Sequence, residues 1–308
     1  MVKTTFWPYK GNPYDLFALV NKNSRIPVTQ MAHILKVNPK TADDWWNAAL
    51  KKQIIILPRF RRRSYLNFRE YVYFLNVKDP YSFYNSCIDD ENLLYFSVHI
   101  GFSNFEIISK CPIDPEGDIL FWGPRTDYYV SVPLDITFSQ AGERLLKKLD
   151  MINQFEPKDS PLVLHPESYE PWDKKNEEIY EAFRDNLRKP FAKVMRETHT
   201  YSDKVMNWIR TREEFGQTIT MYFPQGLSAY LPTVYTFDTE YESLLIHLFS
   251  GLPTPSVFYK VNDTVIMSLY LPFTLEDRIL IRKVLSILQK KELVNEYTNS
   301  ITEYGYRP

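Results

Sequence analysis

The sequence predicts an α+β protein made of two winged-helix or helix-turn-helix segments, each followed by a ferredoxin-like βαββαβ unit. Three observations lead there. A repeat holds at one fixed offset, a proline-bearing stretch separates the repeats, and the same order of apolar periodicities occurs on both sides of it. The offset is 163 positions: it pairs Leu16 with Ile179, Phe17 with Tyr180, Val20 with Phe183, Arg25 with Arg188, Pro27 with Pro190, Val28 with Phe191, Met31 with Val194, Trp45 with Trp208 and Phe74 with Phe237. Apolar matches alone arise easily in helices, but matched Pro, Arg and Trp at one shift make duplication the better account. The stretch Met151 to Lys175 carries Pro157, Pro161, Pro166 and Pro171 among acidic and polar residues, which forbids a long helix and predicts an extended connector. The expected organisation is a first helix-turn-helix with wing over 10–68, an α+β unit with an insertion over 69–150, the linker over 151–175, a second helix-turn-helix over 176–228 and a second α+β unit over 229–308.

Each element has a local cause. In copy one, Leu16, Phe17, Leu19 and Val20 mark a first short helix. Pro27 sits where a second begins, and Val28, Met31, Ala32 and Leu35 form one apolar stripe. Asn38 is placed as N-cap with Pro39 as the first helical residue of a third helix to Lys52, which buries Ala42, Trp45, Trp46 and Ala49. A short strand from Ile54 to Leu57 is expected to end at Pro58. An Arg-rich turn, Arg59 to Arg63, and a strand-like run from Ser64 to Phe68 would complete a wing. Strands are then expected at 70–77, 94–101 and 104–109, with a short helix at 80–87 and a turn at Phe102-Ser103. Copy two repeats this with strand 231–236, helix 240–249, strands 256–261 and 264–271 joined by Asn262-Asp263, a long helix over 275–291 and a last extended piece in 296–306. Copy one departs after Ser109. Ile113 to Pro133 is rich in Pro, Gly and aromatics, and a helix-like stretch arrives only at Ser139 to Ile152.

Bulk properties narrow the function. The chain has 308 residues, 44% hydrophobic and 24% charged, as expected of a folded protein of about two domains. Its formal net charge is −1, so a nucleic-acid role must rest on a local patch. Cys87 and Cys111 are too few and too far apart for a disulfide scaffold or zinc site, and a reducing cytoplasm is expected. Met1 to Asn12 lacks the apolar core of a signal peptide, and no run approaches 18 apolar residues, so no membrane partner is expected.

Helix-turn-helix followed by βαββαβ resembles the Lrp/AsnC family of bacterial and archaeal transcription regulators. The residues that carry the likeness are Asn23 to Ala32, Leu35 to Thr41 and Lys52 to Ile55, with Gly101-Phe102-Ser103-Asn104-Phe105 standing where the family has its central hairpin. The resemblance implies double-stranded DNA as partner, a homodimer or higher assembly, and a small-molecule effector held by the α+β units. The insertion after Ser109, the Pro-bearing linker and the lack of a glycine-marked effector signature are departures.

DNA contact would come from the N-terminal part of the third helix, where Asn38, Lys40, Thr41 and Asp44 are placed as exposed. The alternative for these is a solvated, capped helix face. Lys51, Lys52, Arg59, Arg61, Arg62 and Arg63 put six cations within 13 residues, enough to neutralise several phosphates; the alternative is a salt-bridged surface turn. Copy two offers Tyr201, Lys204, Asn207, Arg210 and Arg212, with Ser202 as candidate cap. Enzyme signatures are lacking: there is no GxGxxG, P-loop, HExxH or CxxC, and His33, His99, His165, His199 and His247 read as packed or surface histidines. The expectation is a DNA-binding transcription regulator that is not an enzyme and carries no cofactor or metal. Two alternatives remain: an interaction scaffold with degenerate DNA binding, and a tetrapyrrole enzyme similar to the siroheme decarboxylases. The latter look like paired or fused Lrp/AsnC proteins and use His and Arg near the pigment; no residue-level motif here supports them.

Overall fold

The computed structural model describes residues 7–156 and 158–306; Pro157 of the expected linker and the first six residues of the Met1 to Asn12 stretch lie outside these. The elements are α1 (Pro13–Lys22), α2 (Val28–Leu35), α3 (Pro39–Lys51), β1 (Ile55–Arg62), β2 (Tyr71–Asn76), α4 (Pro80–Cys87), β3 (Leu93–Gly101), β4 (Phe105–Ser109), β5 (Asp118–Pro124), β6 (Tyr129–Val130), α5 (Phe138–Asp150), α6 (Lys174–Phe183), α7 (Phe191–Thr198), α8 (Ser202–Thr211), β7 (Gly216–Tyr222), β8 (Tyr230–Asp238), α9 (Glu242–Phe249), β9 (Ser256–Val261), β10 (Thr264–Pro272), α10 (Leu275–Lys290) and β11 (Glu296–Tyr306). The fold is α+β. The chain divides into two compact units, and neither is continuous in sequence. One joins the described residues up to Arg62 with Glu170–Ala229; the other joins Arg63–Tyr169 with the described residues from Tyr230 onward.

The first unit holds both helical triplets. Asn38 caps α3 by accepting from the Lys40 N–H at 2.9 Å, and Pro39 opens the helix where its missing N–H has no helical partner to lose. The two triplets make reciprocal contacts, as the expected duplication would require. Arg25 donates to the carbonyls of Leu187 and Lys189, while Arg188 donates to those of Ser24 and Ile26 at 3.0 and 2.9 Å. These are the same bonds seen from two sides, since each position maps onto its counterpart by the 163-residue shift. That is the pattern of an isologous interface.

β1 and β7 form a two-stranded antiparallel ribbon in which each strand serves the other copy's helices. Phe60 of β1 is fully buried among Ile179, Phe183, Val205 and Trp208, and Tyr222 of β7 lies among Leu16, Phe17 and Val20. The expected wing is therefore corrected. β1 does not stop at Pro58, because the register breaks between Ile56 and Arg59 and the proline's lack of an N–H costs no ladder bond there. Its partner is β7, not the run from Ser64 to Phe68.

The second unit is built on a nine-stranded antiparallel sheet in the order β5-β2-β4-β3-β11-β8-β10-β9-β6. Copy two contributes β11-β8-β10-β9, the strand order of a ferredoxin-like unit. Copy one contributes β2, β4 and β3, and its fourth position is filled by β5, which arrives before any second helix. That second helix, α5, packs with α9 and α10 in the core of copy two through Ala141, Leu145 and Leu149. The sheet curls until its ends approach: Arg125 bridges Val261, and Asn262 donates to the Trp122 carbonyl at 2.9 Å. Its inner face carries Val72, Phe74, Ile108, Val234, Tyr259 and Ile266. Alternation sends Tyr73, Phe96, Phe105 and Ile107 to the outer face.

Candidate functional site

The residues singled out for DNA do not form one surface. On α3, Asn38, Lys40, Asp44 and Lys51 are exposed, and Thr41 and Lys52 are half-buried. Asp43 and Asp44 share the exposed side with the lysines, so the charge of that face is mixed. On α8, Ser202, Asn207 and Arg210 are exposed. Tyr201 occupies the N-cap in place of Ser202 and makes no side-chain cap bond; Ser202 is the first helical residue and its hydroxyl meets the Met206 sulfur at 3.7 Å. Lys204 is paired with Asp173 at 2.7 Å, and Arg210 donates to Asn207 at 2.8 Å.

The middle of the arginine run, Arg61 and Arg62, is turned inward, while Arg59 and Arg63 are half-buried. Arg61 and Arg62 are only 9% and 3% exposed. Arg61 meets Asp185 at 2.7 Å and donates to the Arg184 carbonyl at 2.9 Å. Arg62 lies between Glu170 and Glu177, with its guanidinium 4.3 Å from the Trp172 ring centre. Arg59 also faces Asp185, at 3.9 Å, and Arg63 faces Asp127 at 3.8 Å. Buried guanidiniums held by carboxylates and backbone carbonyls are not presented to a phosphate, so Arg61 and Arg62 support the ribbon rather than form a wing.

Glu170 records what this enclosure costs. Burial pushes its carboxyl up to about 7; Arg62 pulls the other way, and Glu177, sharing the same arginine, adds to the rise. A carboxyl raised on folding stabilises the fold fully below its ordinary range near 4.5, and that stability is lost as pH rises through about 7. Unfolding by urea at a series of pH values should show stability falling across that window, and Glu170→Gln should flatten the fall. An unchanged pH profile in the variant would mean that Glu170 is ionised in the fold throughout.

A second cluster was not among the expected site residues. It lies on the inner face of the nine-stranded sheet. Ser97 and His99 of β3 and Glu106 of β4 point inward by period-two alternation, and Ser97 stands opposite Glu106 in the ladder. The hairpin between them is tight: Gly101 has φ +154°, and a Cβ there would lie 2.3 Å from the Asn299 carbonyl oxygen. His99 Nε2 is 2.8 Å from Ser97 Oγ and 3.4 Å from Glu106 Oε2, and Nδ1 is 3.5 Å from Ser103 Oγ. Tyr259, from β9, donates its hydroxyl to Glu106 Oε1 at 3.1 Å. Ser300 of β11 closes the far side by donating to the Ser103 carbonyl at 3.1 Å.

The polar run continues through rings. Tyr259 packs edge-on against Tyr128 at 5.3 Å, and Arg125 sits 4.1 Å from the Tyr128 ring centre. Arg125 is fully buried and donates to Glu70 at 2.6 Å and to the Thr126 carbonyl at 2.8 Å. Burial opposes its charge, but Glu70, Tyr128 and Asp127 outweigh this and hold the guanidinium protonated. Burial first, then the Glu106 carboxylate and the neighbouring Tyr128, push Tyr259 well above the usual phenol range, so it remains a donor. Beside His99, Phe74 and Phe121 stack at 4.9 Å, and Phe102 lies nearly parallel to Phe121 at 6.4 Å. The arrangement joins an imidazole with polar neighbours at both nitrogens, a carboxylate holding a phenol, and a slab of flat apolar rings. Such a set can pass a proton within a water-poor interior. In the sequence its signal was Ser97 and His99 in phase on one strand with Glu106 across the hairpin.

Among the described residues no group of His, Cys, Asp or Glu is placed to hold a metal ion, and no helix is long and apolar enough to cross a membrane. No protein-family model matches the sequence, and no curated protein does. Solved structures do match in fold. The siroheme decarboxylase NirDL superposes with a TM-score of 0.54 over 96% of this chain and 92% of its own, at 10% identity. NirDL in co-complex with an iron-uroporphyrin III analogue gives 0.53 over the same shares, at 8% identity. The likeness shows a shared α+β fold. It also corrects one expectation from sequence: the fold of this chain is found end to end in an enzyme, so the non-enzyme reading is not retained.

Proposed function

We propose that the chain is a tetrapyrrole enzyme of the siroheme decarboxylase kind, with His99 as its proton-transferring group. The observation that carries this is the buried His99–Glu106–Tyr259 cluster inside a fold matched over nearly its full length by a decarboxylase. Decarboxylation replaces a carboxylate by a proton: the C–C bond breaks, carbon dioxide leaves, and the carbon left behind takes a proton from a positioned acid. An imidazole between hydroxyl and carboxylate partners suits that role, and Glu106 and Ser97 orient it. The Phe74–Phe121–Phe102 slab supplies a flat apolar surface of the sort a planar macrocycle stacks on. Admission of such a substrate requires these rings to part, so binding should be accompanied by movement of the hairpin that carries Phe102. Mixing with siroheme should shift its main absorption band, and mass spectrometry should then show loss of carbon dioxide from the pigment. A spectrum equal to the sum of its parts would reject the reading.

DNA binding by the helical unit is the second reading, favoured by the start of α3, where Asn38 and Lys40 are exposed and Thr41 half-buried. An effector and a homodimeric assembly belong to it. With Arg61 and Arg62 buried, its affinity would rest on Lys40, Lys51 and their neighbours. In a gel-shift salt series, replacing both lysines by alanine should reduce the logarithmic salt slope by roughly two if each neutralises one phosphate. No retarded band at low salt would remove this reading.

A further inference from the structure

A cavity of about 450 Å³ opens on the outer face of copy two's sheet, the face opposite His99. It lies between α9, the last turns of α5 and the residues Phe155, Lys158, Asp159 and Pro161. Its polar lining holds two lysines, Lys148 and Lys158, and the imidazole of His247 against a single carboxylate, Asp159. Ser243 and Ser250 add hydroxyls, and the Ser250 oxygen is buried without a hydrogen-bond partner. A buried hydroxyl left unmatched in a cavity of this size is a donor awaiting an acceptor. The remaining walls are apolar, and Phe155 faces the His247 ring at 5.3 Å between centres.

The groups are held in place without a ligand. Lys148 donates to the His247 carbonyl, and the Lys158 N–H donates to the Ser243 hydroxyl at 3.1 Å. Their mutual repulsion is not relieved. Burial, then Lys148 and Lys158, push His247 below the usual imidazole range, and burial pushes Lys148 down as well. Asp159 is the carboxylate in the lining, and it does not reverse this crowding.

We propose that this cavity binds a small organic monoanion, a carboxylate carried on a flat apolar body. The carboxylate sits with Lys148 and Lys158 and accepts from Ser250, and the body lies along Phe155, Tyr129 and Ile246. The site is independent of the proposed reaction at His99. An anion placed there offsets the repulsion felt by His247, so binding takes up a proton when the pH lies near the imidazole's range.

The full chain, with the His247 ring followed by NMR, provides the test. Benzoate is the probe, and benzyl alcohol (the same body uncharged) and inorganic phosphate (the charge without the body) are controls. Benzoate should bind saturably and raise the His247 titration midpoint, while each control binds at least about tenfold more weakly. Lys158→Gln, at an exposed position, should weaken benzoate about tenfold, the loss of one charge-assisted hydrogen bond, and Ser250→Ala should weaken it severalfold. The proposal is overturned if benzoate leaves His247 unmoved, if either control binds as tightly as benzoate, or if Lys158→Gln binds like the parent.

Discussion

Arg125→Met is expected to lower the free energy of unfolding by about 3–5 kcal/mol, the usual loss when one partner of a buried ion pair is removed. The substitution keeps much of the side-chain volume but withdraws the donors to Glu70 and the Thr126 carbonyl and the charge over Tyr128. Glu70, itself buried, loses the charge that faces it at 2.6 Å. Arg125→Met combined with Glu70→Gln should recover a large part of the loss, because two neutral groups replace a buried carboxylate that has lost its arginine. Urea denaturation of the parent, both single variants and the double variant measures the coupling as a cycle. A loss below about 1 kcal/mol would mean that water reaches the pair, at the level of an exposed salt bridge.

The other large effect lies at His99. If the proposed reaction is the chain's own, His99→Asn should reduce decarboxylation of siroheme by about 10²–10⁴-fold, the range for loss of a general acid. Asparagine retains polar atoms for Ser97 and Ser103, so the sheet interior should hold and the pigment's absorption shift should persist. Tyr259→Phe removes only the donor to Glu106 and should reduce turnover less, since it acts through the carboxylate rather than on the substrate. If His99→Asn turns over like the parent, the cluster is a structural polar network and the reaction, where it occurs, is centred elsewhere.

Much of the fold was legible because its causes are local. Asn38-Pro39 caps and opens α3, the Asn262-Asp263 turn joins β9 to β10 with Asn262 at φ +53°, and the 163-residue shift anticipates the crossed Arg25 and Arg188 contacts. What was not legible depends on residues far along the chain. Arg61 and Arg62 read as an exposed turn because the groups that enclose them, Glu170, Glu177 and Asp185, stand more than a hundred positions later. Pro58 read as the end of a strand because a register break cannot be seen without the partner strand. For the inner cluster, a strand histidine is more often a packed one, and nothing local tells that Glu106 meets Tyr259 across a curled sheet.

The two halves of the ribbon meet their helices by different chemistry. Arg62 reaches Glu177 on α6, whereas on the other side Tyr14 and Phe17 of α1 close on the Tyr222 ring at 5.4 and 5.1 Å. Tyr14 and Glu177 are the same position by the shift. Two identical subunits would have to use one solution at both places, with every choice made in duplicate. A single covalent chain escapes that demand, and its halves also meet at a fixed effective concentration, so dilution does not part them. Each half is thereby free to drift toward a separate task, one keeping an old surface while the other takes on new chemistry.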